Sequence, residues 1–236
     1  MTAIRILHVD DEPDIREIVD LSLGLNPDFE VRAAACGADA IAIAAEWSPF
    51  LILLDVMMPG MDGPTTLAHL RKDPRTADIP VLFMTARAQE REVQQFIALG
   101  AQGVISKPFD PMTLAFLVRS HLQAIRFESL RAVFARRAMS DAATLADCRS
   151  DLGTDASSAT IARVREIAHG LAGAAGLFGF AEISSDAAAL EDAVVAKLAG
   201  NGTPKELTQA LDQLMTRLKT QWDGRPAEIK CTQSAA

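Results

Sequence analysis

The feature that most constrains the fold is a regular alternation of short apolar runs with amphipathic stretches, which stops near residue 124. The runs typical of strands are 4–9, 29–35, 50–58, 79–86 and 103–106. Each run is followed by a stretch whose apolar residues recur at helical spacing. Strands that alternate with helices require right-handed crossovers, so the pattern predicts an α/β domain with a doubly wound, parallel five-stranded sheet.

Beyond residue 124 the strand signals end and the chain becomes alanine-rich and helical. Apolar stripes predict helices around 142–149, 161–175, 190–198 and 207–222. Four such helices predict an all-α four-helix bundle. The predicted bounds are a first domain over 1–124, a helical linker over 125–140, a bundle over 141–224 whose first helix can begin near 129, and a loose tail over 225–236.

Charge and cysteine content exclude several classes of function. The net charge is −8, and the first 124 residues carry 10 Lys and Arg against 17 Asp and Glu. Neither half has the basic stripe of a nucleic-acid binder, and no apolar run reaches the roughly 18 residues of a membrane span. The three cysteines are widely spaced and fit neither a disulfide framework nor a zinc site. This usage favours a reducing cytoplasm.

Polar side chains follow the predicted strands at the edge where parallel strands end. Asp10 and Asp11 follow the first strand, Asp55 the third, Thr85 the fourth and Lys107 the fifth. Ligands bind at this edge of a doubly wound sheet. Three carboxylates repel one another unless a cation lies between them, and hard oxygen ligands suit Mg²⁺. The set predicts Mg²⁺-dependent phosphoryl transfer with Asp55 as nucleophile, and with Lys107 and Thr85 on the phosphoryl oxygens.

Four motifs carry a family resemblance. They are VDDEP (9–13), LLDVMMPGMDG (53–63), MTA (84–86) and SKPF (106–109). Their order and spacing resemble the receiver domain of bacterial response regulators, over about residues 3–124. The resemblance implies a flavodoxin-like fold that catalyses its own aspartyl phosphorylation and dephosphorylation.

The resemblance also implies roles for individual residues. Asp55 would accept the phosphoryl group, and Asp11, Asp55 and the backbone carbonyl of Met57 would bind Mg²⁺, with Asp10 assisting through water. In addition, Thr85 and Lys107 would contact the phosphoryl group, and the Lys107–Pro108 bond would be cis. One departure is Val104, because receivers usually carry Tyr or Phe three residues before the lysine. In receivers this aromatic side chain swings inward when the threonine moves, and Val104 puts that switch in question here.

A histidine followed by glycines marks the second half. In HGLAGAAGLFGF (169–180), His169 falls outside the apolar stripe of its helix, so we expect it to face solvent. The residues three, four and seven positions later are Ala172, Gly173 and Gly176. Because none has a long side chain, the imidazole stands in a clearing that a docking protein could enter. A largely neutral histidine can act as a nucleophile there.

This stretch is similar to the core of histidine phosphotransfer (HPt) domains, and the resemblance covers about residues 129–222. It rests on AHGLAGAAGLFGF (168–180), the predicted bundle and the downstream pair Leu190-Glu191. The resemblance implies that His169 carries a phosphoryl group. The family commonly has Lys three residues after the histidine, where this chain has Ala172. Either Arg165, one turn before His169, supplies the charge, or transfer is slower.

Together the two halves predict a cytoplasmic phosphorelay protein. Asp55 and His169 would exchange phosphoryl groups with partners, namely a sensor histidine kinase and other HPt or receiver proteins. No ATP-binding kinase motif is visible. Three alternatives stay open: a receiver that gates a phosphorylated HPt output, a receiver-gated dimerisation module without phosphorylation of His169, and a histidine-kinase dimerisation domain. The last usually has an acidic residue after the histidine, here Gly170. The oligomeric state is left open.

Overall fold

The computed structural model describes residues 3–86, 89–152 and 157–222. The chain divides into two compact units, Met1–Phe127 and Glu128–Ala236. The predicted tail over 225–236 lies outside the described residues, as does Cys231. Within the described ranges, no helix is both long and apolar enough to cross a membrane.

The first unit is the predicted parallel sheet with helices between its strands. Its elements are β1 (Ile4–Val9), α1 (Pro13–Gly24), β2 (Phe29–Ala34), α2 (Gly37–Trp47), β3 (Leu51–Asp55), α3 (Gly63–Leu70), β4 (Val81–Thr85), α4 (Glu90–Ala98), β5 (Gly103–Ser106) and the start of α5 (Pro111–Asp151). The strand order is β2-β1-β3-β4-β5, and every pairing is parallel. The prediction of a doubly wound sheet is confirmed.

Both faces of the sheet are covered, which explains the long apolar runs in the sequence. All five residues of β3 and all five of β4 are buried. One face packs a core that includes Leu54 and Phe83, and the other a core that includes Leu53 and Met84. Because side chains alternate along a strand, residues next to each other serve opposite cores. The polar residues at the strand ends are therefore held on a rigid base.

Over its described residues, 128–152 and 157–222, the second unit is helical. It contains the later part of α5, then α6 (Ser158–Ala175), a short 3₁₀ turn (Gly176–Phe178), α7 (Ala181–Leu198) and α8 (Pro204–Trp222). Its four helices share one apolar core, to which α6 contributes Val164 and Leu171 and α7 contributes Leu190. The predicted bundle is confirmed.

Helix α5 runs without a break through the segment 125–140, which the sequence predicted as a helical linker. No glycine or proline interrupts it after Pro111, so nothing in its chemistry ends the helix early. Phe134 and Ala138, which belong to this segment, lie in the core of the second unit. Phe134 stacks on Phe178 and Phe180, with ring centroids 5.1 and 5.8 Å apart.

Candidate functional sites

The acidic residues of the first unit meet at one edge of the sheet. Val9 pairs with Leu54 in the ladder between β1 and β3, so the next residues along the chain, Asp10 after β1 and Asp55 at the end of β3, lie at the same level. Asp10 is fully buried and Asp55 is 6% exposed. Asp10 Oδ1 accepts a hydrogen bond from the backbone N–H of Glu12 at 3.0 Å, which fixes this carboxylate at the start of the turn.

Lys107 connects the two carboxylates. Its Nζ donates to Asp10 Oδ2 and to Asp55 Oδ1, each at 2.6 Å. The backbone N–H of Lys107 donates to the carbonyl of Thr85 at 2.8 Å, and the Lys107–Pro108 bond is cis, as expected. One cation therefore bridges two buried anions from two neighbouring strands.

Burial and the neighbouring charges at this edge shift the pKa values of Asp55 and Lys107. Burial raises the pKa of Asp55, and the hydrogen bond and positive charge of Lys107 only partly offset this rise. Burial would lower the pKa of Lys107, but its hydrogen bonds with Asp10 and Asp55 outweigh burial and the pKa is raised. The lysine is thus held as a cation at neutral pH.

His8 lies beneath the edge and is buried in β1, as the sequence predicted for a core residue. Its Nε2 is 3.8 Å from Asp10 Oδ2, and neither ring nitrogen has a hydrogen-bond partner among the described residues. Burial is the largest influence and lowers its pKa to about 4, so the ring is neutral at pH 7.

The loop after β3 brings its backbone close to Asp55. Met57 N–H donates to Asp55 Oδ2 at 2.9 Å, and Gly63 N–H donates to the carbonyl of Val56 at 3.0 Å. A Cβ at Gly63 would lie 2.3 Å from the carbonyl oxygen of Asp55, so only glycine fits there. Gly60 has a φ of +77°, which favours glycine for the turn itself.

The other predicted residues lie at the same edge. Asp11 is half-buried, and its carboxylate has no hydrogen-bond or ion-pair partner in the described part of the chain. Thr85 ends β4 and is 5% exposed. These same ranges hold no cluster of three or more His, Cys, Asp or Glu side chains arranged around a metal position. The donor set still fits Mg²⁺, because Asp11 is unpartnered and carboxylate and carbonyl oxygens are the ligands this ion prefers.

Val104 lies in β5 opposite Phe83 of β4 and is half-buried. The ring of Phe83 packs against Phe96 of α4, with centroids 4.8 Å apart. Val104 and Phe96 contact the same core cluster. This core therefore draws its aromatic residues from β4, α4 and, through Trp47, α2, and Val104 contributes none from β5, where receivers usually carry one.

In the second unit, His169 projects from α6 into solvent, and 78% of its side chain is exposed. Its Nδ1 lies 3.1 and 3.3 Å from the two carboxylate oxygens of Glu191, on α7. Its Nε2 has no hydrogen-bond partner within the described ranges. When Nδ1 carries the proton and donates a hydrogen bond to Glu191, Nε2 presents a free lone pair to solvent.

The clearing predicted beside His169 is present. A Cβ at Gly173 would have no atom within 4 Å outside its own backbone surroundings. A Cβ at Gly176 would meet Ser184 at 3.6 Å, an ordinary contact, and Gly179 has a φ of +82° and ends the 3₁₀ turn. Gly173 thus keeps surface free, and Gly179 shapes the turn.

A shallow concavity of about 440 Å³ adjoins His169. Its lining comes from α6 and α7 and consists of Ser158, Ile161, Ala162, Arg165, Glu166, His169, Glu191 and Leu198. Sequence reasoning placed His169 and Arg165 on one side of the helix, but it gave Glu191 no role. The signal in the sequence was the pair Leu190-Glu191, which supports the resemblance to HPt domains but does not show that Glu191 contacts His169.

We expect Gly173→Ala to raise the free energy of unfolding of the second unit by about 0.5–1 kcal/mol, because alanine is the better helix former and nothing blocks its methyl group. Gly179→Ala should lower it by about 1 kcal/mol, because of the positive φ. Urea denaturation followed by Trp222 fluorescence in a Trp47→Phe background measures both. A loss of stability in Gly173→Ala would show that the glycine is required for packing.

Family models match both units. A model described as the response regulator receiver domain matches residues 6–119, and one described as the Hpt domain matches residues 130–221. The two matches agree with the division of the chain between Phe127 and Glu128. The residues at the sheet edge lie in the first match, and His169 and Glu191 lie in the second.

Individual relatives match part of the chain. The DNA-binding dual master transcriptional regulator RpaA of Synechocystis sp. is 40% identical over 119 residues, 50% of this chain and 49% of that protein. The phosphate regulon transcriptional regulatory protein PhoB of Escherichia coli is 37% identical over 123 residues, 52% of this chain and 53% of that protein. The chain thus spans about half the length of these curated relatives. Among solved structures, chemotaxis response regulator CheY4 of Vibrio cholerae is 32% identical with a TM-score of 0.48, covering 51% of this chain and 99% of that one.

Proposed function

Since the chain joins a response regulator receiver domain to an Hpt domain, we propose that it is a phosphorelay protein in which Asp55 and His169 each carry a phosphoryl group. The observation that carries the proposal is the pair of nucleophiles. The buried Asp55 lies beside the cation Lys107, and the exposed His169 has Nδ1 engaged and Nε2 open. Its partners would be a sensor histidine kinase and other HPt or receiver proteins.

At the sheet edge, an oxygen of Asp55 attacks the phosphorus of a phosphohistidine on the partner. The O–P bond forms, the N–P bond breaks, and the electron pair stays on the partner's imidazole. Lys107, already 2.6 Å from Asp55, neutralises charge on the phosphoryl oxygens, and Thr85 contacts another of them. Asp11, Asp55 and the Met57 carbonyl would hold Mg²⁺, with Asp10 assisting through water. When bound, this ion offsets negative charge on the phosphoryl group.

On the second unit, Nε2 of His169 attacks the phosphorus of an aspartyl phosphate on a partner receiver. The N–P bond forms, the acyl O–P bond breaks, and the electron pair leaves on the partner's carboxylate. The proton stays on Nδ1, where Glu191 accepts its hydrogen bond and stabilises the positive ring. The clearing at Gly173 lets the partner approach.

Chemical lability of the bound phosphate tests the proposal. The chain and its Asp55→Asn, His169→Gln and His69→Gln variants are incubated with Mg²⁺ and phosphoramidate, an N–P phosphoryl donor. Aspartyl phosphate is lost in alkali, and phosphohistidine is lost in acid. We expect the wild type to carry both kinds of phosphate. Asp55→Asn should lack the alkali-labile phosphate, and His169→Gln should lack the acid-labile phosphate. His69 is exposed on α3, so His69→Gln controls for labelling of any surface histidine. Equal acid-labile phosphate in wild type and His169→Gln would refute the proposal.

A further inference from the structure

The contact between His169 and Glu191 creates a charge problem for phosphorylation. This inference rests on the proposed function of His169. A phosphoryl group on Nε2 brings up to two negative charges to a ring whose Nδ1 is 3.1 Å from the Glu191 carboxylate. The phosphoryl group and the Glu191 carboxylate lie at opposite ring nitrogens, and their negative charges together exceed the one positive charge of the ring between them, so a cation on the same side of α6 would favour phosphorylation.

Arg165 is placed to supply that cation. It lies four residues before His169 on α6, and side chains at this spacing are neighbours, with Cβ atoms about 5–6 Å apart. Its side chain is exposed and lines the same concavity as His169 and Glu191. Across residues 3–86, 89–152 and 157–222, it has no ion-pair or hydrogen-bond partner. Among the described residues that line the concavity, it is the one arginine or lysine.

Two other arginines lie on or beside α6, Arg163 within the helix and Arg137 on α5, and each has a carboxylate partner. Arg163 pairs with Glu166 at 2.8 Å and does not line the concavity. Arg137 of α5 pairs with Asp141 at 3.8 Å and reaches α6 at Gly170, where a Cβ would be 3.9 Å from its Nη2. Because Gly170 is rotated by about 100° around the helix from His169, Arg137 approaches a different side of α6.

We propose that Arg165 binds the phosphoryl oxygens during transfer to and from Nε2 of His169. A guanidinium presents parallel N–H donors that match two oxygens of a phosphoryl group, and it remains charged at any physiological pH. Glu191 and Arg165 then have separate roles at the two nitrogens of the ring. The carboxylate orients the ring through Nδ1, and the guanidinium offsets the charge that arrives at Nε2.

The test compares Arg165→Ala, Arg165→Lys and the control Arg163→Ala, all in the full chain. The rate of His169 phosphorylation is measured with phosphoramidate and with a phosphorylated receiver domain, as acid-labile phosphate. We expect Arg165→Ala to lower the limiting rate about 10–100-fold with both donors, the loss typical of a charge-assisted hydrogen bond to a transferring group. Arg165→Lys should recover part of the rate, and Arg163→Ala should stay within about twofold.

Several outcomes would overturn the inference. His169 could be phosphorylated at the wild-type rate in Arg165→Ala, or its rate could fall as far in Arg163→Ala as in Arg165→Ala. Arg165→Ala could also raise the concentration of receiver donor at half-saturation and leave the limiting rates with both donors unchanged. Arg165 would then be a contact for the partner's surface and would not bind the phosphoryl group. Failure of the proposed function has a different signature, since His169 of the wild-type chain would then carry no acid-labile phosphate with either donor.

Discussion

Lys107→Met should lower the free energy of unfolding of the first unit by about 3–5 kcal/mol in metal-free buffer at pH 7, the usual loss when one partner of a buried ion pair is removed. The variant leaves the carboxylates of Asp10 and Asp55 side by side with no cation between them. Added Mg²⁺ should restore part of the loss, because the ion replaces the missing charge. Urea denaturation with and without EDTA measures both effects, with Trp47 fluorescence in a Trp222→Phe background.

The control is Lys72→Met, because Lys72 is exposed on the same unit. It should change the stability by no more than about 0.5 kcal/mol. Lowering the pH tests whether the charge of Asp55 causes the loss of stability. Asp55 has a raised pKa when folded, so its charge costs stability above that pKa, and protonation removes the cost as pH falls. The deficit of Lys107→Met should therefore shrink below neutral pH. A Lys107→Met deficit no larger than that of Lys72→Met in EDTA would contradict this account of the edge.

Glu191→Gln should slow phosphorylation of His169 about 10–100-fold and leave the fold intact. The carboxylate accepts a hydrogen bond from Nδ1–H, which keeps the ring proton on Nδ1 and leaves Nε2 unprotonated and able to attack. An amide can instead donate to Nδ1, which places the ring proton on Nε2, and it carries no charge to stabilise the imidazolium. The rate with a phosphorylated receiver donor measures the effect.

Asp192→Asn provides the matched control, since Asp192 is the next residue on α7 and is exposed. Its transfer rate should remain within about twofold of wild type. Equal rates for Glu191→Gln and Asp192→Asn would show that Glu191 does not orient the ring. Unfolding of Glu191→Gln by urea should match wild type within about 0.5 kcal/mol, because the contact lies at the surface.

The sheet edge was predictable because its geometry follows from topology. Parallel strands end at one edge, so Asp10, Asp55 and Thr85 could be placed together from their positions after apolar runs. The bridge from Lys107 to both carboxylates was not predictable, because it depends on the path of the turn after β5. The same holds for His8 beneath Asp10, whose neutral ring has no hydrogen-bond partner in the described part of the chain, because the sequence indicated only its burial.

The second unit shows the limit of helical periodicity. The stripe through Val164 and Leu171 correctly predicted that His169 is exposed. Periodicity fixes which residues share a face of one helix, but not which residues of the next helix they meet. The contact between His169 and Glu191 needs the register of α6 against α7, which tertiary packing sets.

Mass spectrometry that locates the phosphate tests the central claim most directly. The wild-type chain is labelled by phosphorylated histidine and receiver donors, and sodium borohydride then converts any aspartyl phosphate to homoserine, while phosphohistidine is mapped in alkali. The account predicts homoserine at position 55 and phosphate on the peptide that contains His169, with no other site labelled to a comparable extent. Phosphate found only on Asp55, with none on His169 after incubation with any phosphorylated receiver domain, would contradict the account.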